Sequence, residues 1–346
     1  MADELDCAIF WDYASLYQPP RTPEQESLFL KGRQQVGVWY GHSLTQTWIQ
    51  SALPPGYEAT LSPYANSGWG FVEATLSSAI KPRDKTLDIS RHDESKHSTT
   101  QLLHSAKLLQ RVLKQCRAQV HPLLPPEHAM QLLTDEKTFA VPTDAEEASK
   151  IFARFFRAVA PRLPSIELAD VGLGPEDVLR LSEALPRFER CKSVDLSGNQ
   201  IGSESAKALA LAVRLCDSLD KVKVDRFTLA VRQLMGKAPL RSLDLSDKGL
   251  GMASGMIIAE LIRENTCLTS LSVGSNTITG DGAKELAASV LAKPHLEQFS
   301  RIPLKDLRSD RLSKLDLFKR GLGVPEAHVL AGMLVSSECS SLTTLK

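Results

Sequence analysis

Apolar residues recur in one short pattern through the second half of the chain. Between Cys191 and Gly202, positions 191, 194, 196 and 201 are apolar, and Asn199 stands just before the last of them. Apolar residues at alternate positions predict a short buried strand, the Asn predicts a turn, and a helix is expected to follow.

The same pattern returns at nearly regular steps. It begins at Leu163, Cys191, Leu219, Leu240, Leu268, Leu296, Leu312 and Leu342. The starts at 163, 191 and 219 are evenly spaced, and those at 240, 268 and 296 keep the same spacing, which we call the regular step. At about 28 residues, the regular step leaves room for a strand and a full helix. Helices are expected at 175–185, 204–215, 253–263, 282–291 and 325–335.

Two steps are clearly shorter than the others. These short steps run from 219 to 240 and from 296 to 312, and the spacing from 312 to 342 is again close to the regular one. A short step cannot hold a full helix. The sequence therefore predicts a compressed unit at 219–240 and an irregular connector at 301–307.

Residues 162–346 resemble leucine-rich repeats of the ribonuclease-inhibitor type, which also end many NOD-like receptors. The resemblance implies an α/β solenoid with a curved parallel sheet and outer helices. It also implies protein binding on the concave face, in signalling or immune-type sensing. The chain stops inside the repeat at Leu342, which predicts either a partner that covers the open end or, as we expect, a fragment of a longer repeat protein.

The concave face is predicted from the slot four residues after each repeat start. That slot holds Glu167, Asp195, Lys223, Asp244, Ser272, Ser300, Asp316 and Lys346. Its acidic residues could receive a basic partner surface. The alternative is that these Asp residues are ordinary solvated positions of the pattern.

The first hundred residues alternate strand-like and helical patterns, which predicts a separate α/β module over residues 1–98. The strand-like stretches are 7–13, 36–40, 45–49 and 86–89, and the helices are 22–32 and 69–80. In the first helix, Thr22, Pro23 and Gln25 predict a capping box, and we expect Leu28 and Phe29 to be buried. All four Trp and all five Tyr lie before residue 70, which supports a separate module.

Within this module, Tyr64, Ala65, Ser67, Trp69 and Glu73 resemble the Tyr-Ala-x-Ser-x-Trp-x-x-x-Glu segment of TIR domains. The resemblance implies a partial TIR-like, flavodoxin-like module that self-associates. It also implies that Glu73 would be the catalytic residue of an NAD-cleaving enzyme. The family's first strand and helix have no room before Cys7, which removes half of the nucleotide pocket. The alternative for Glu73 is a carboxylate on the surface of a helix.

Residues 99–161 predict a helical linker and a cap for the first repeat. From Thr100, the residues Leu102, Ala106, Leu109, Leu113 and Cys116 form an apolar stripe that packs on its own chain or binds a partner helix. A short helix is expected at 127–133. The residues 142–146 predict the capped start of a helix with Phe152, Phe155, Phe156 and Val159 on its buried face.

Composition narrows the function further. Lys plus Arg equals Asp plus Glu at 41 each, so net charge favours neither nucleic acid nor a membrane surface. We expect no secretory signal, no membrane span, no metal site and no phosphate-binding loop. The six Cys lack metal-ligand spacing, and Cys191, Cys216, Cys267 and Cys339 fall at or just before repeat strands. Buried thiols at repeated sites predict a reducing, cytoplasmic location.

We therefore predict a non-catalytic scaffold without cofactors that binds protein partners, basic ones in particular, through the concave face of the repeats. The alternative is the NAD-cleaving enzyme that uses Glu73.

Overall fold

The computed structural model describes residues 8–11, 15–52, 64–92, 99–318, 321–335 and 340–345. The chain forms two compact units. One consists of Met1–His121 and Ala129–Phe155, and the other of Pro122–His128 and Phe156–Lys346. The division into domains at 1–98, 99–161 and 162–346 stays a prediction.

The first unit places a small parallel sheet among helices. Its helices are Pro23–Gln34 (α1), Val36–Gly41 (α2), Gly68–Ile80 (α3), Thr99–His104 (α4) and Ala106–Gln115 (α5), and its strands are Thr47–Ile49 (β1) and Thr86–Asp88 (β2). Thr47 pairs with Thr86, and Ile49 with Asp88. Two further helices follow along the chain, Pro126–Asp135 (α6) and Asp144–Val159 (α7).

Aromatic and aliphatic side chains form the core of this unit. On α3, Phe71, Val72 and Leu76 are buried, and the ring of Phe71 stacks on Phe152 with centroids 6.2 Å apart. Ile49 packs with buried residues around α3. The predicted capping box of α1 is confirmed, because Thr22 and Gln25 exchange side-chain and backbone hydrogen bonds.

Several predictions for this unit are wrong. Val36–Tyr40 lies in α2 rather than in a strand; a short apolar run has no periodicity that separates the two. Leu28 on α1 is 51% exposed instead of buried. Of the predicted strand at 7–13, the described residues 8–11 have no regular structure, and Ile9 is 84% exposed. The other residues of that stretch, Cys7 and 12–13, lie outside the described residues.

The predicted helix from Thr100 to Cys116 is broken. Ser105 ends α4 and starts α5, where its side chain accepts a hydrogen bond from Leu108 N at 3.3 Å. Val112 and Cys116 are buried while Leu109 is exposed, so the apolar stripe differs from the predicted one. The helices predicted at 127–133 and after Pro142 are confirmed as α6 and α7. On α7, Phe152, Phe155 and Phe156 are buried as predicted, and Val159 is half-buried.

The second unit alternates short strands and helices. Its strands are Ser165–Glu167 (β3), Ser193–Asp195 (β4), Lys221–Lys223 (β5), Thr228–Ala230 (β6), Ser242–Asp244 (β7), Ser270–Ser272 (β8), Gln298–Phe299 (β9), Lys314–Leu315 (β10) and Thr344–Leu345 (β11). Its helices are Pro175–Ala184 (α8), Ser203–Leu215 (α9), Val231–Leu234 (α10), Met252–Ile262 (α11), Gly280–Leu291 (α12), Leu304–Arg308 (α13) and Val324–Val335 (α14). A strand begins at the second position after every repeat start, which confirms the predicted pattern.

Neighbouring repeats share one backbone ladder wherever the step between them is regular. Leu168 N donates to Asp195 O at 2.9 Å, Leu196 N to Lys223 O at 2.8 Å, and Leu245 N to Ser272 O at 2.8 Å. The pairing is parallel, with Ile166 opposite Val194 and Leu243 opposite Leu271. A constant step returns each strand to the same register beside the last.

The single curved parallel sheet predicted from the sequence is not observed. The described strands of this unit form three sheets, β3-β4-β5-β6, β7-β8-β9 and β10-β11. The two breaks fall at the two short steps. At the first, the compressed unit contributes β6, which is antiparallel to β5, and the four-residue helix α10. At the second, α13 occupies the connector, and Phe299 and Ile302 exchange two backbone hydrogen bonds of 3.0 and 2.8 Å.

The helices continue across the first break. α8 packs on α9, α9 directly on α11, α11 on α12, and α12 on α14. α11 and α12 approach so closely that a Cβ at Gly282 would overlap the carbonyl oxygen of Met252. Side chains from strands and helices, including Leu196, Leu209 and Leu271, are completely buried between the two layers.

Candidate functional site

The outward strand face is defined here by the predicted residues Glu167, Asp195, Lys223, Asp244, Ser272 and Asp316. The structure aligns Glu167, Asp195 and Lys223 on β3, β4 and β5, and Asp244 with Ser272 on β7 and β8. Asp316 follows β10 in the third sheet, and Lys346 lies outside the described residues. The face is thus three short segments rather than one row.

Asp195 is engaged within its own sheet. Its Oδ2 accepts a hydrogen bond from Lys223 Nζ at 3.1 Å, and its Oδ1 accepts from the backbone and hydroxyl of Ser197 at 2.9 and 2.6 Å. Burial alone would raise the pKa of this carboxyl, but the Ser197 bonds and the Lys223 ammonium lower it below its usual value. Both oxygens are occupied, so Asp195 offers little to a partner.

Asp244 and Asp316 are more available carboxylates than Asp195. Each accepts a backbone hydrogen bond from two residues ahead, Ser246 N at 2.9 Å and Phe318 N at 3.0 Å, which fixes the turn after the strand. The bonds from Ser246 lower the pKa of Asp244, helped by the charges of Lys248 and Arg301. Both side chains are exposed, and the second oxygen of each has no hydrogen bond among the described residues.

Ser300 was also expected on this face, and that prediction is wrong. Ser300 is buried, has a left-handed backbone with φ of 51°, accepts a bond from Val273 N and donates to Glu326 Oε1 at 2.6 Å. The tight connector after β9 turns the side chain inward. Ser272 does lie on the face, with its hydroxyl 2.6 Å from that of Ser246.

Sequence reasoning missed Phe318, which is 69% exposed in the turn after Asp316. Its slot, six residues after the repeat start, holds Ala169, Ser197, Asp225, Ser246 and Gly274 in five other units and Ile302 in the unit with the irregular connector. An aromatic residue where most units have a small or polar residue was the available signal. Exposed aromatic side chains are frequent anchors of protein interfaces.

The cysteines at the repeat strands behave as structural groups. Cys191 and Cys216 are buried as predicted, and burial raises their pKa to about 11 and about 12. Their thiols are therefore unreactive near neutral pH. Cys267 is half-buried, and Cys7 and Cys339 lie outside the described residues.

The residues of the TIR-like segment lie around the start of α3. Ser67 caps the helix by accepting a hydrogen bond from Gly70 N at 3.1 Å, and Trp69 Nε1 donates to Asp144 at 3.1 Å. Glu73 is half-buried on α3. The catalytic role of Glu73 stays a prediction.

Other kinds of site are not evident in the part of the chain that the structure describes. No group of three or more His, Cys, Asp and Glu is placed to hold a metal ion there. Of the described helices, none combines the length and apolar character that a membrane crossing needs.

Comparison with known proteins supports the repeat pattern. A family model described as "Leucine Rich repeat" matches residues 192–210 and 264–287. The chain contains leucine-rich repeats. The first match covers β4 and the start of α9, and the second covers β8 and the first part of α12. Both matches lie in repeats that pair with a neighbour through the regular backbone ladder.

Structural comparison adds a neighbour without deciding function. A structure of "Leiomodin-1 Actin-Binding Site 2 (ABS2)" aligns with 54% of this chain and 85% of that chain, at 13% identity and a TM-score of 0.27. A likeness of that size carries no argument about partners. No curated protein matches the chain.

Proposed function

We propose that this protein is a non-catalytic scaffold whose leucine-rich repeats bind a protein partner through the outward strand face. The observation that carries the proposal is the pair Asp244 and Asp316, exposed carboxylates that each keep an oxygen without an internal bond among the described residues. Phe318 beside Asp316 adds an exposed aromatic group. A carboxylate beside an aromatic anchor, as at Asp316 and Phe318, suits a partner that presents Lys or Arg.

The finer parts of the proposal rest on the sequence. A reducing, cytoplasmic setting agrees with free thiols at the repeat strands, of which Cys191 and Cys216 are buried. The ribonuclease-inhibitor type, a role in signalling and self-association through a TIR-like first unit follow from resemblance.

The test is affinity capture from cell extract with the full chain. The variant carries Asp244→Lys and Asp316→Lys together. Asp195 is left unchanged, because its reversal would place two cations beside each other at Lys223. A matched control carries Glu189→Lys and Glu204→Lys, two exposed acidic residues away from the face.

We expect a specific partner that wild type and control retain and that the Asp244/Asp316 variant loses by about tenfold or more, which equals about 1.4 kcal/mol. Equal retention by all three proteins would show that the face is not the binding surface. The absence of any specific partner for the wild type would contradict the scaffold itself.

A further inference from the structure

The strand β7 has a backbone edge with no described strand beside it. Its Leu243 pairs with β8, where Leu245 N donates to Ser272 O and Ser270 N donates to Arg241 O. Because alternate residues of a strand direct their N–H and C=O groups to opposite sides, Ser242 and Asp244 direct theirs away from β8.

Those four backbone groups have no hydrogen-bond partner among the described residues. Where the step is regular, the equivalent carbonyls of Asp195, Lys223 and Ser272 each accept a bond from the preceding repeat. The strand before the break, β5, needs no pairing with β7, because β6 already pairs with its edge. Of the two strands on either side of the first short step, β7 is therefore the one whose edge has no described strand beside it.

The side chains around this edge are more exposed than the equivalent side chains of regular repeats. Leu240 and Leu243 are half-buried, whereas their equivalents Cys191, Val194 and Leu271 are buried. Ser242 and Asp244 are exposed, while Ser193, Asp195, Ser270 and Ser272 are half-buried. The edge therefore offers main-chain hydrogen bonds together with apolar surface on one side and a carboxylate on the other.

We propose that the open edge of β7 binds an extended peptide segment of a partner, which adds a strand to the sheet β7-β8-β9. Main-chain donors and acceptors at strand spacing are matched by another strand. Apolar peptide residues would face Leu240 and Leu243, and the alternate residues, basic ones, would face Asp244. This inference deepens the proposed scaffold function and rests on it.

A second copy of this chain fits the edge less well. A stable pair of subunits buries about 1,200–2,000 Å² in total. An edge of three residues is far smaller than that, but it suits a short peptide. Pairing between copies is therefore an outcome of the test rather than the proposal.

The probe is a fluorescein-labelled peptide of alternating valine and lysine, read by fluorescence polarisation with the full chain. A second probe has the same side chains but methyl groups on alternate peptide nitrogens, which removes the strand edge and leaves the charge. A third replaces lysine with glutamate. On the protein, Ser242→Pro removes an edge N–H that has no partner among the described residues, so the β7–β8 pairing is kept. Ser165→Pro makes the same change on β3 as a control.

We expect wild type and Ser165→Pro to bind the first probe, and Ser242→Pro to bind it at least about tenfold more weakly. The methylated and glutamate probes should lose binding to a similar degree. Equal binding of the methylated probe to wild type would overturn the proposal, even if Ser242→Pro failed to fold. A concentration-dependent dimer abolished by Ser242→Pro would also overturn it, in favour of a second copy.

The two proposals fail separately. Unchanged partner capture by Ser242→Pro, despite its weaker peptide binding, would show that the partner does not use the edge of β7 and would leave the scaffold standing. Peptide binding by a protein that captures no partner would leave the β7 site standing and contradict the scaffold function.

Discussion

Single asparagines hold neighbouring repeats together. Asn276 Nδ2 donates to Leu245 O and Val273 O at 2.7 Å, and its Oδ1 accepts from Lys248 N and Leu250 N at 2.9 and 3.1 Å. Asn199 makes the same four bonds in an earlier pair of repeats. The sequence predicted a turn at these residues. It could not show that each side-chain amide also hydrogen-bonds to backbone groups of the preceding repeat, because those contacts exist only once the repeats are stacked.

Asn276→Ala should therefore destabilise the repeats. It leaves two carbonyls and two backbone N–H groups without partners, for a loss of about 3 kcal/mol in the free energy of unfolding. Denaturant unfolding of the full chain, followed by far-UV circular dichroism, measures this. Gln200→Ala, at an exposed residue next to Asn199, is the control and should change stability by less than about 0.5 kcal/mol. Equal effects of the two changes would contradict the role of the amide.

Lys81 should make the stability of the first unit depend on pH in the alkaline range. The side chain is only 5% exposed and donates to the Thr47 hydroxyl at 2.5 Å, and burial with the nearby Lys85 charge lowers its pKa to about 8. The unfolded chain holds this proton up to about pH 10.5, so between about pH 8 and 10.5 it binds more protons than the folded chain. Stability of the first unit should rise with pH there, by about 1 kcal/mol from pH 8 to 9.

Tryptophan fluorescence tests this, because all four Trp lie before residue 70. Lys81→Met should stabilise the unit at pH 7 and remove the rise between pH 8 and 9. A rise of the same size in the variant would assign it to another group.

Glu73→Ala separates the two functional hypotheses. If the chain is a scaffold, wild type and variant should both leave NAD intact, as measured by chromatography of the nucleotide with concentrated protein. NAD loss in the wild type that disappears in Glu73→Ala, with folding unchanged by circular dichroism, would instead establish the enzyme.

At the scale of elements, the repeat step determines how far sequence predicts structure. The regular steps predicted the strands, the helices and their register, because each unit repeats the same path. The two short steps indicated irregular units but not their form. The strand β6 follows a turn of Val224 to Phe227 without the Gly or Asn that signals a hairpin. Ser300 was placed wrongly for the same reason, since its slot has meaning only in a regular unit.

The contact between α11 and α12 depends on the absence of a side chain. Gly282→Ala should lower the free energy of unfolding by about 1–3 kcal/mol, because the new Cβ overlaps Met252 O and the helices must separate. Ala288→Gly on α12, at an exposed position, is the control and should cost only the helix propensity of about 1 kcal/mol. A Gly282→Ala protein as stable as wild type would show that the helices separate at no cost.

At the scale of the whole chain, the two halves differ in how well their patterns predict them. The second unit repeats, so that each pattern is checked by the next. In the first unit, a short run such as Val36–Tyr40 stands alone, and tertiary packing decides between helix and strand. The strand register of the residues on the outward strand face followed from the regular step, and their role in binding stays a prediction, whereas the open edge of β7 required knowledge of which strands do not pair.

The same architecture predicts how the second unit unfolds. Its strands are split between β5-β6 and β7, but α9 packs directly on α11 across that break. A continuous helix layer should make the unit cooperative despite the divided sheet. Leu196→Ala and Leu271→Ala remove fully buried side chains on opposite sides of the break, and each should cost about 2–5 kcal/mol. Circular dichroism in denaturant should show both changes lowering the midpoint of one shared transition. An early separate transition in Leu196→Ala, with the remainder unfolding as in wild type, would mean that the break divides the unit energetically as well as in its hydrogen bonds.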